Sequence, residues 1–339
     1  MNQLRWDPTS REWVAYATHR QDRTFLPPPE YCPLCPTKPG GFPTEVPREF
    51  YDIVVFENKF PSFSPKASDP DELGTVLAPT APGRGISEVV LYSEDHDASL
   101  AGMPENRVHN LVEVWADRYR ELGSREEVAY VFIFENKGEA IGVTLHHPHG
   151  QIYGYPFVPP RPARELGAAR DHREEHGSCL YCDLLAEEHA DGRRILYKGD
   201  HFTAFVPFYA RYPYEVHTYA RRCVPSIAQL TGAEKGDLAR VLKRLLIGYD
   251  ALFGFSLPYV MAMHQAPTDS GEYESVAHFH IEFYPPNRTA EKLKYLAGSE
   301  LGAGAFIVDA LPETTAAALR EAIEDAGNTR APAGHDEGG

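Results

Sequence analysis

The sequence predicts an α+β protein made of a duplicated unit, with antiparallel sheets and a packed helix in each half. Two observations carry this. The order Cys-x-x-Cys, strands, helix, strand, then a strand bearing His-x-His occurs twice along the 339 residues. The strand-like runs are short, apolar and bounded by turn residues, whereas the helical stretches repeat their apolar residues every three or four positions. EVVLYSEDH at 88–96 even aligns with EVHTYARRC at 215–223, setting His96 opposite Cys223.

Residues 26–48 are dense in Pro and Gly and read as an irregular loop carrying Cys32 and Cys35. Strands follow at 51–56 and 86–92. A helix near 104–122 places Val108, Leu111, Trp115, Tyr119 and Leu122 on one face. VAYVFIFE at 128–135 is a buried strand, and another runs through IGVTLHHPHGQIYGY. The second unit opens at Cys179 and Cys182 and continues with strands at 202–208 and 215–220. Its helix starts at the T-x-x-E capping box of Thr231 and Glu234, ahead of Leu238, Val241, Leu242, Leu245, Tyr249 and Leu252. Strands at 258–264 and 276–284 complete the unit, and PETTAAALREAIEDAG reads as a last helix. The expected boundaries are 1–160 for the first half, 175–325 for the second and 326–339 for a disordered polar tail.

A net charge of −16 argues against a sequence-independent grip on nucleic acid, which needs clustered Lys and Arg. The start, MNQLRWDPTSREWVAY, lacks the apolar core of a secretory signal, and no apolar run is long enough to cross a bilayer. The expectation is a cytoplasmic protein without membrane or nucleic-acid partners. Five cysteines, two pairs of them spaced Cys-x-x-Cys, fit metal sites better than disulfides in that compartment.

On a strand, side chains two apart share a face, so His147 and His149 point together and Pro148 points away. In the second half His278, His280 and Glu282 share one face while Phe279, Ile281 and Phe283 share the other. Structural zinc takes four Cys or His ligands. Cys32 and Cys35 supply two thiolates in the first half, with His96 and His147 as the candidates for the rest. Cys179, Cys182, Cys223 and His278 occupy the matching places in the second. That leaves His149 without a metal role. A neutral imidazole can attack phosphorus when its other nitrogen donates to a fixed acceptor, and the carbonyl of His147 is the candidate. Gly150 leaves room for a phosphate, and Gln151 offers an amide donor.

HPHGQ at 147–151 with an upstream Cys-x-x-Cys resembles the galactose-1-phosphate uridylyltransferase branch of the histidine-triad superfamily, over about residues 5 to 306. Ordinary histidine-triad hydrolases carry a third histidine where Gln151 stands. The resemblance implies a duplicated histidine-triad-like fold, with His149 as nucleophile and His147, Cys32, Cys35 and His96 as ligands of a structural zinc. THRQDR at 18–23 resembles a phosphate-contacting segment and implicates Arg20 and Arg23. FENKF at 56–60 sets Asn58 and Phe60 near the uracil, ENKG at 135–138 sets Asn136 near the phosphates, and Thr144 stands where the family commonly has a phosphate-touching serine. KYLAGSE at 294–300 keeps Lys294, Tyr295 and Glu300 of the hexose-binding stretch, while Ser299 and Phe306 depart from the Tyr and Gln expected there.

The family's own second metal site maps to Glu165, His264 and His280, with Glu282 replacing its last histidine, and would hold zinc or iron. This site and the Cys179, Cys182, Cys223, His278 site are alternatives for the second metal, and crowding around His278 and His280 weighs against both being present together. The activity implied is ping-pong transfer of UMP from UDP-glucose to galactose 1-phosphate, giving UDP-galactose, in a homodimer. The alternatives are an ADP-sugar or dinucleoside-polyphosphate phosphorylase of the same superfamily and a zinc-stabilised nucleotide- or nucleic-acid-binding protein without turnover.

Overall fold

The computed structural model describes residues 2–22 and 26–329. In chain order the first half runs β1 (Asn2–Asp7), β2 (Glu12–Ala17), β3 (Val54–Glu57), β4 (Thr80–Pro82), β5 (Ile86–Leu91), α1 (Glu105–Gly123), β6 (Tyr130–Lys137) and β7 (His149–Tyr155). Two helices, α2 (Pro160–His176) and α3 (Leu180–Asp191), lead into β8 (Ile195–Lys198), β9 (Phe202–Phe205) and β10 (Val216–Ala220). The chain continues through α4 (Gly232–Phe253), β11 (Tyr259–His264), β12 (His280–Tyr284) and α5 (Pro312–Thr329).

Nine strands form one antiparallel sheet in the order β3-β5-β7-β6-β11-β12-β10-β9-β8. The halves meet at β6 and β11, where Lys137 faces Tyr259 and Phe134 faces Ala262. On either side of this seam the strands follow in corresponding order, so the duplication expected from the sequence is present in the topology. A small separate sheet, β2-β1-β4, flanks the first half.

One face of the large sheet is sealed by helices. Helix α1 buries Leu111, Val112 and Trp115, and α4 buries Leu238, Leu242 and Tyr249 in the same core. The capping box at Thr231 and Glu234 forms as expected: the Glu234 amide donates to the Thr231 hydroxyl at 3.3 Å and the Thr231 amide to the Glu234 carboxylate at 2.7 Å. Helix α5 packs on α4 at Gly248, where a Cβ would lie 2.2 Å from Ile323.

The other face differs between the halves. In the second, α2 and α3 cover the sheet, packing Leu166, Ala169, Tyr181 and Leu185 against Phe205 and Tyr219. Over the first half no helix covers that face among the described residues; Leu4, Trp13, Ala81 and Phe63 pack on part of it and leave a cavity beside them.

Several elements depart from the expectations. β1, β2, β4, α2, α3 and β8 were not expected. Among the 17 residues of α2 only Pro162, Leu166 and Ala169 are buried, too sparse a stripe to announce a helix. The strand through IGVTLHHPHGQIYGY begins only at His149, because 139–141 is a 3-10 turn between glycines of positive φ (Gly138, 90°; Gly142, 81°). Likewise β12 starts at His280, so His147 and His278 each sit just ahead of a strand. The expected tail is corrected at its start: α5 continues to Thr329, and only 330–339 lie outside the described residues. No helix among the described residues is long and apolar enough to cross a membrane.

Candidate active site and metal clusters

His149, Gln151, Tyr153 and Tyr155 lie on alternate positions of β7 and line a cavity of about 450 Å³ on the open face of the first half. Phe132, Phe134 and Asn136 of the neighbouring β6 complete its floor by the same alternation. Arg20, Asn58, Phe60 and Thr144 line it as well, so the sequence-derived contacts converge there. Arg23 lies outside the described residues. Asn58 is locked by accepting the Phe60 amide at 2.9 Å. Arg20 donates to the Phe60 carbonyl at 3.0 Å, the Ser62 hydroxyl at 2.9 Å and the Tyr153 hydroxyl at 3.3 Å, and Tyr153 donates to Gln151 at 3.2 Å. Ser62 and the aromatic wall Phe132, Phe134, Tyr153 and Tyr155 were missed, although period-two alternation from His149 marks the two tyrosines.

His149 also borders a second cavity, of about 680 Å³, lined by Asn136, Lys137, His146 and Asp250 among others. It therefore stands where two cavities meet. Its Nδ1–H donates to the His147 carbonyl at 2.7 Å, which leaves Nε2 as the free nitrogen. Desolvation holds its pKa below the ordinary histidine value, and the ring is neutral and carries a lone pair at neutral pH. This is the state a nucleophile needs.

His147 itself turns into the first metal cluster. Its Nε2–H lies 2.8 Å from the Ser93 carbonyl and 2.7 Å from the Tyr51 hydroxyl oxygen, so Nδ1 is the ligating atom. Burial lowers its pKa to about 4. Cys32, Cys35, His96 and His147 present ligand atoms all within 4.8 Å of one another. Zinc bond lengths in a tetrahedron place sulfur and nitrogen ligands about 3.5 Å apart. Cys35 Sγ lies 3.4 Å from His96 Nδ1 and 3.5 Å from His147 Nδ1. The donor set fits such an ion.

The second set fits equally. Cys179, Cys182, Cys223 and His278 converge, with His278 Nδ1 at 3.5 and 3.8 Å from the first two sulfurs and Nε2–H donating to Ala220 at 2.8 Å. Cys179 is the N-cap of α3 and Cys182 lies in its first turn, so a helix missed from the sequence places both. Glu165, His264, His280 and Glu282 also converge. The crowding expected around His278 and His280 does not keep both groupings of side chains from assembling. His278 turns off the strand toward sulfur while His280 stays within β12, and both groupings coexist.

The second half reproduces the hydrogen bond of the nucleophile: His280 Nδ1–H donates to the His278 carbonyl at 2.8 Å. Glu282 stands where Gln151 does, and Tyr284 where Tyr153 does. Yet His280 is buried under Tyr181 of α3 and borders only about 10 Å³ of free space. Among the described residues, the space beside His280 is too small for a substrate.

The hexose stretch lies elsewhere. Lys294 pairs with Glu300 at 3.2 Å, Phe306 packs on Tyr212, and Tyr295 is 76% exposed; none of them lines either cavity at His149.

Glu135, on the helix-facing side of β6, was not singled out. It is buried beside the hydroxyls of Tyr92 and Tyr259, and Tyr259 donates to it at 3.3 Å. Desolvation raises its pKa to about 7, against a smaller opposing pull from Lys137. The folded pKa is raised, so its contribution to stability is full below the unfolded value and is lost as pH rises through about 7. Between pH 5 and 7.5 this amounts to about 2 kcal/mol. Glu135→Gln is expected to flatten the fall in stability over that range. Denaturant titrations of both proteins at several pH values check this, and parallel pH curves would refute it.

Comparisons agree with the geometry. The family model for the galactose-1-phosphate uridyl transferase N-terminal domain matches residues 1–159, and that for the C-terminal domain matches 165–331. A galactose-1-phosphate uridylyltransferase of Thermotoga maritima is 42% identical over 323 residues, 95% of this chain and 98% of the relative. One from Streptomyces lividans is 36% identical, covering 95% and 88%. A solved uridylyltransferase structure superposes with a TM-score of 0.84 at 35% identity, over 96% of this chain and 99% of that one. An ADP-glucose phosphorylase of Arabidopsis thaliana with bound ADP-glucose, 23% identical over 95% and 99% of the two chains, shares the fold at a TM-score of 0.70. The two domain matches and the near full-length relatives place the chain in the galactose-1-phosphate uridylyltransferase family, and the protein is a nucleotidyltransferase.

Proposed function

We propose that the protein transfers UMP from UDP-glucose to galactose 1-phosphate through a uridylyl group carried on His149. The observation that supports it is His149 itself, neutral, pinned through Nδ1 and standing where two cavities meet. In the first step Nε2 bonds to the α-phosphorus and the bond to the bridging oxygen breaks, releasing glucose 1-phosphate. Galactose 1-phosphate then attacks the same phosphorus and the P–N bond breaks. Both attacking and leaving oxygens belong to phosphates, so no general base is required.

Nucleophilic catalysis divides one transfer into two displacements, and the His147 carbonyl steadies the cation formed after attack. Arg20, Gln151 and Asn136 are assigned to the phosphoryl oxygens, where donors stabilise developing charge. Asn58 and Phe60 are assigned to the base, and Thr144 and Arg23 to phosphate. Zinc is proposed for both cysteine-containing sets, where it supplies a structural crosslink and takes no part in the displacement. Thiolate clusters of this kind are maintained in a reducing, cytoplasmic compartment.

We further assign Lys294, Tyr295 and Glu300 to the hexose of a second copy's site. They line no cavity at His149 of their own chain, and the segment exposes Tyr295, Leu301 and Ile307 by 67–76%.

Native and intact mass spectrometry after incubation with UDP-glucose or ADP-glucose tests these assignments together. The expected result is a uridylyl adduct on wild type, none on His149→Ala, and an assembly of twice the 37.9 kDa chain. An adenylyl adduct in its place would move the activity to ADP-sugars. No adduct with either would refute the covalent mechanism, and a single chain mass would refute the shared hexose site.

A further inference from the structure

The cluster of Glu165, His264, His280 and Glu282 has the composition of a metal site, and its hydrogen bonds are those of a different object. Glu165 Oε2 lies 2.6 Å from His264 Nδ1. Two ligands of one tetrahedral ion stand about 3.3 Å apart, so this is a direct hydrogen bond rather than a pair of ligands. His264 spends its other nitrogen, Nε2, on Glu282 Oε2 at 3.4 Å. The carboxylate oxygens are taken as well. Arg161 donates from Nε to Glu165 Oε1 at 2.9 Å and from Nη2 to Glu282 Oε2 at 2.6 Å. Tyr284 donates to Glu282 Oε2, and His217 Nε2 lies 3.3 Å from Oε1. Neither cysteine set shows such engagement: His147 and His278 each face sulfur with Nδ1 and a backbone carbonyl with Nε2, and His96 faces Cys35 with Nδ1.

We propose that the guanidinium of Arg161 is the resident cation of this cluster, so that the chain carries two metal ions and not three. A guanidinium suits the task, being always charged and forked to bridge two carboxylates. Removing water from two buried carboxylates is costly unless a paired cation and donors satisfy them. Arg161 supplies both from the first turn of α2, a helix the first half lacks. Helix α2 thus covers the second half and neutralises it.

The test is metal stoichiometry. Wild-type protein saturated with zinc, cobalt or iron(II) and then freed of loosely bound ions by gel filtration is expected to keep two ions per chain. Arg161→Gln is expected to bind a third, with cobalt affinity at least 100-fold above any residual wild-type site and with visible absorption characteristic of nitrogen and oxygen ligands. Should that variant fold poorly, the double variant Arg161→Gln, Glu282→His removes the guanidinium and one of its carboxylates together and is expected to take the third ion. Three tightly held ions in wild type would overturn the proposal. So would variants that fold and still hold two.

Discussion

Cys35→Ser is expected to lower the metal content from two ions per chain to one and to cost more than about 5 kcal/mol of stability, a large share of the 5–15 kcal/mol that holds a typical domain. Cys35 is the sulfur nearest both imidazoles of its set, at 3.4 and 3.5 Å. Burial and the neighbouring Cys32 push its thiol up to about 12 against a smaller pull from Lys38, so an ion bound there displaces a tightly held proton. A bound ion draws the thiolates together, and in small zinc domains that binding supplies most of the folding free energy. The damage reaches catalysis because His147 belongs to the cluster and its carbonyl holds His149. Elemental analysis with calorimetry checks this. Two ions per chain and an unchanged unfolding temperature in the variant would sink the assignment.

Gly150→Ala is expected to lower transfer about 100-fold, the usual consequence of misplacing a reacting group by an ångström. A Cβ there would lie 2.1 Å from the Tyr92 hydroxyl and 3.2 Å from the Phe134 carbonyl. Tyr92 is 2% exposed and packed edge-on to Trp115, so its ring has no space to retreat into. The strand must move instead, and His149 moves with it; such overpacking costs about 1–3 kcal/mol of stability. Tyr92→Phe in the same chain removes the closest atom and is expected to restore at least tenfold of the lost rate. Single-turnover formation of the uridylyl adduct separates this from weaker binding. A full wild-type rate in Gly150→Ala would show that the close approach does not position the nucleophile.

The chemistry-bearing residues were legible because their signals are local. Cys-x-x-Cys spacing, the capping box at Thr231 and Glu234, and His-x-His before a strand each occupy a handful of residues. The cavity wall was readable in principle, since Tyr153 and Tyr155 follow His149 at period two, but aromatic residues on a strand equally well describe a core. The crowding expected of His278 and His280 is relieved geometrically: the reading put both within one strand, and the strand begins between them. Arg161 could not be found from sequence at all. It acts on Glu282, 121 positions away, through a helix with almost no apolar stripe.

The seam between β6 and β11 has a consequence for the molecule as a whole. Two corresponding strands from corresponding halves pair antiparallel, the arrangement a two-fold axis generates when a single unit meets its own copy. Each half alone would present that strand as a bare edge, with unpaired amides and carbonyls inviting another chain. Joining the units in one polypeptide makes this self-association intramolecular, independent of protein concentration, and it lets the partners diverge. One keeps an open floor for chemistry while the other becomes a closed support.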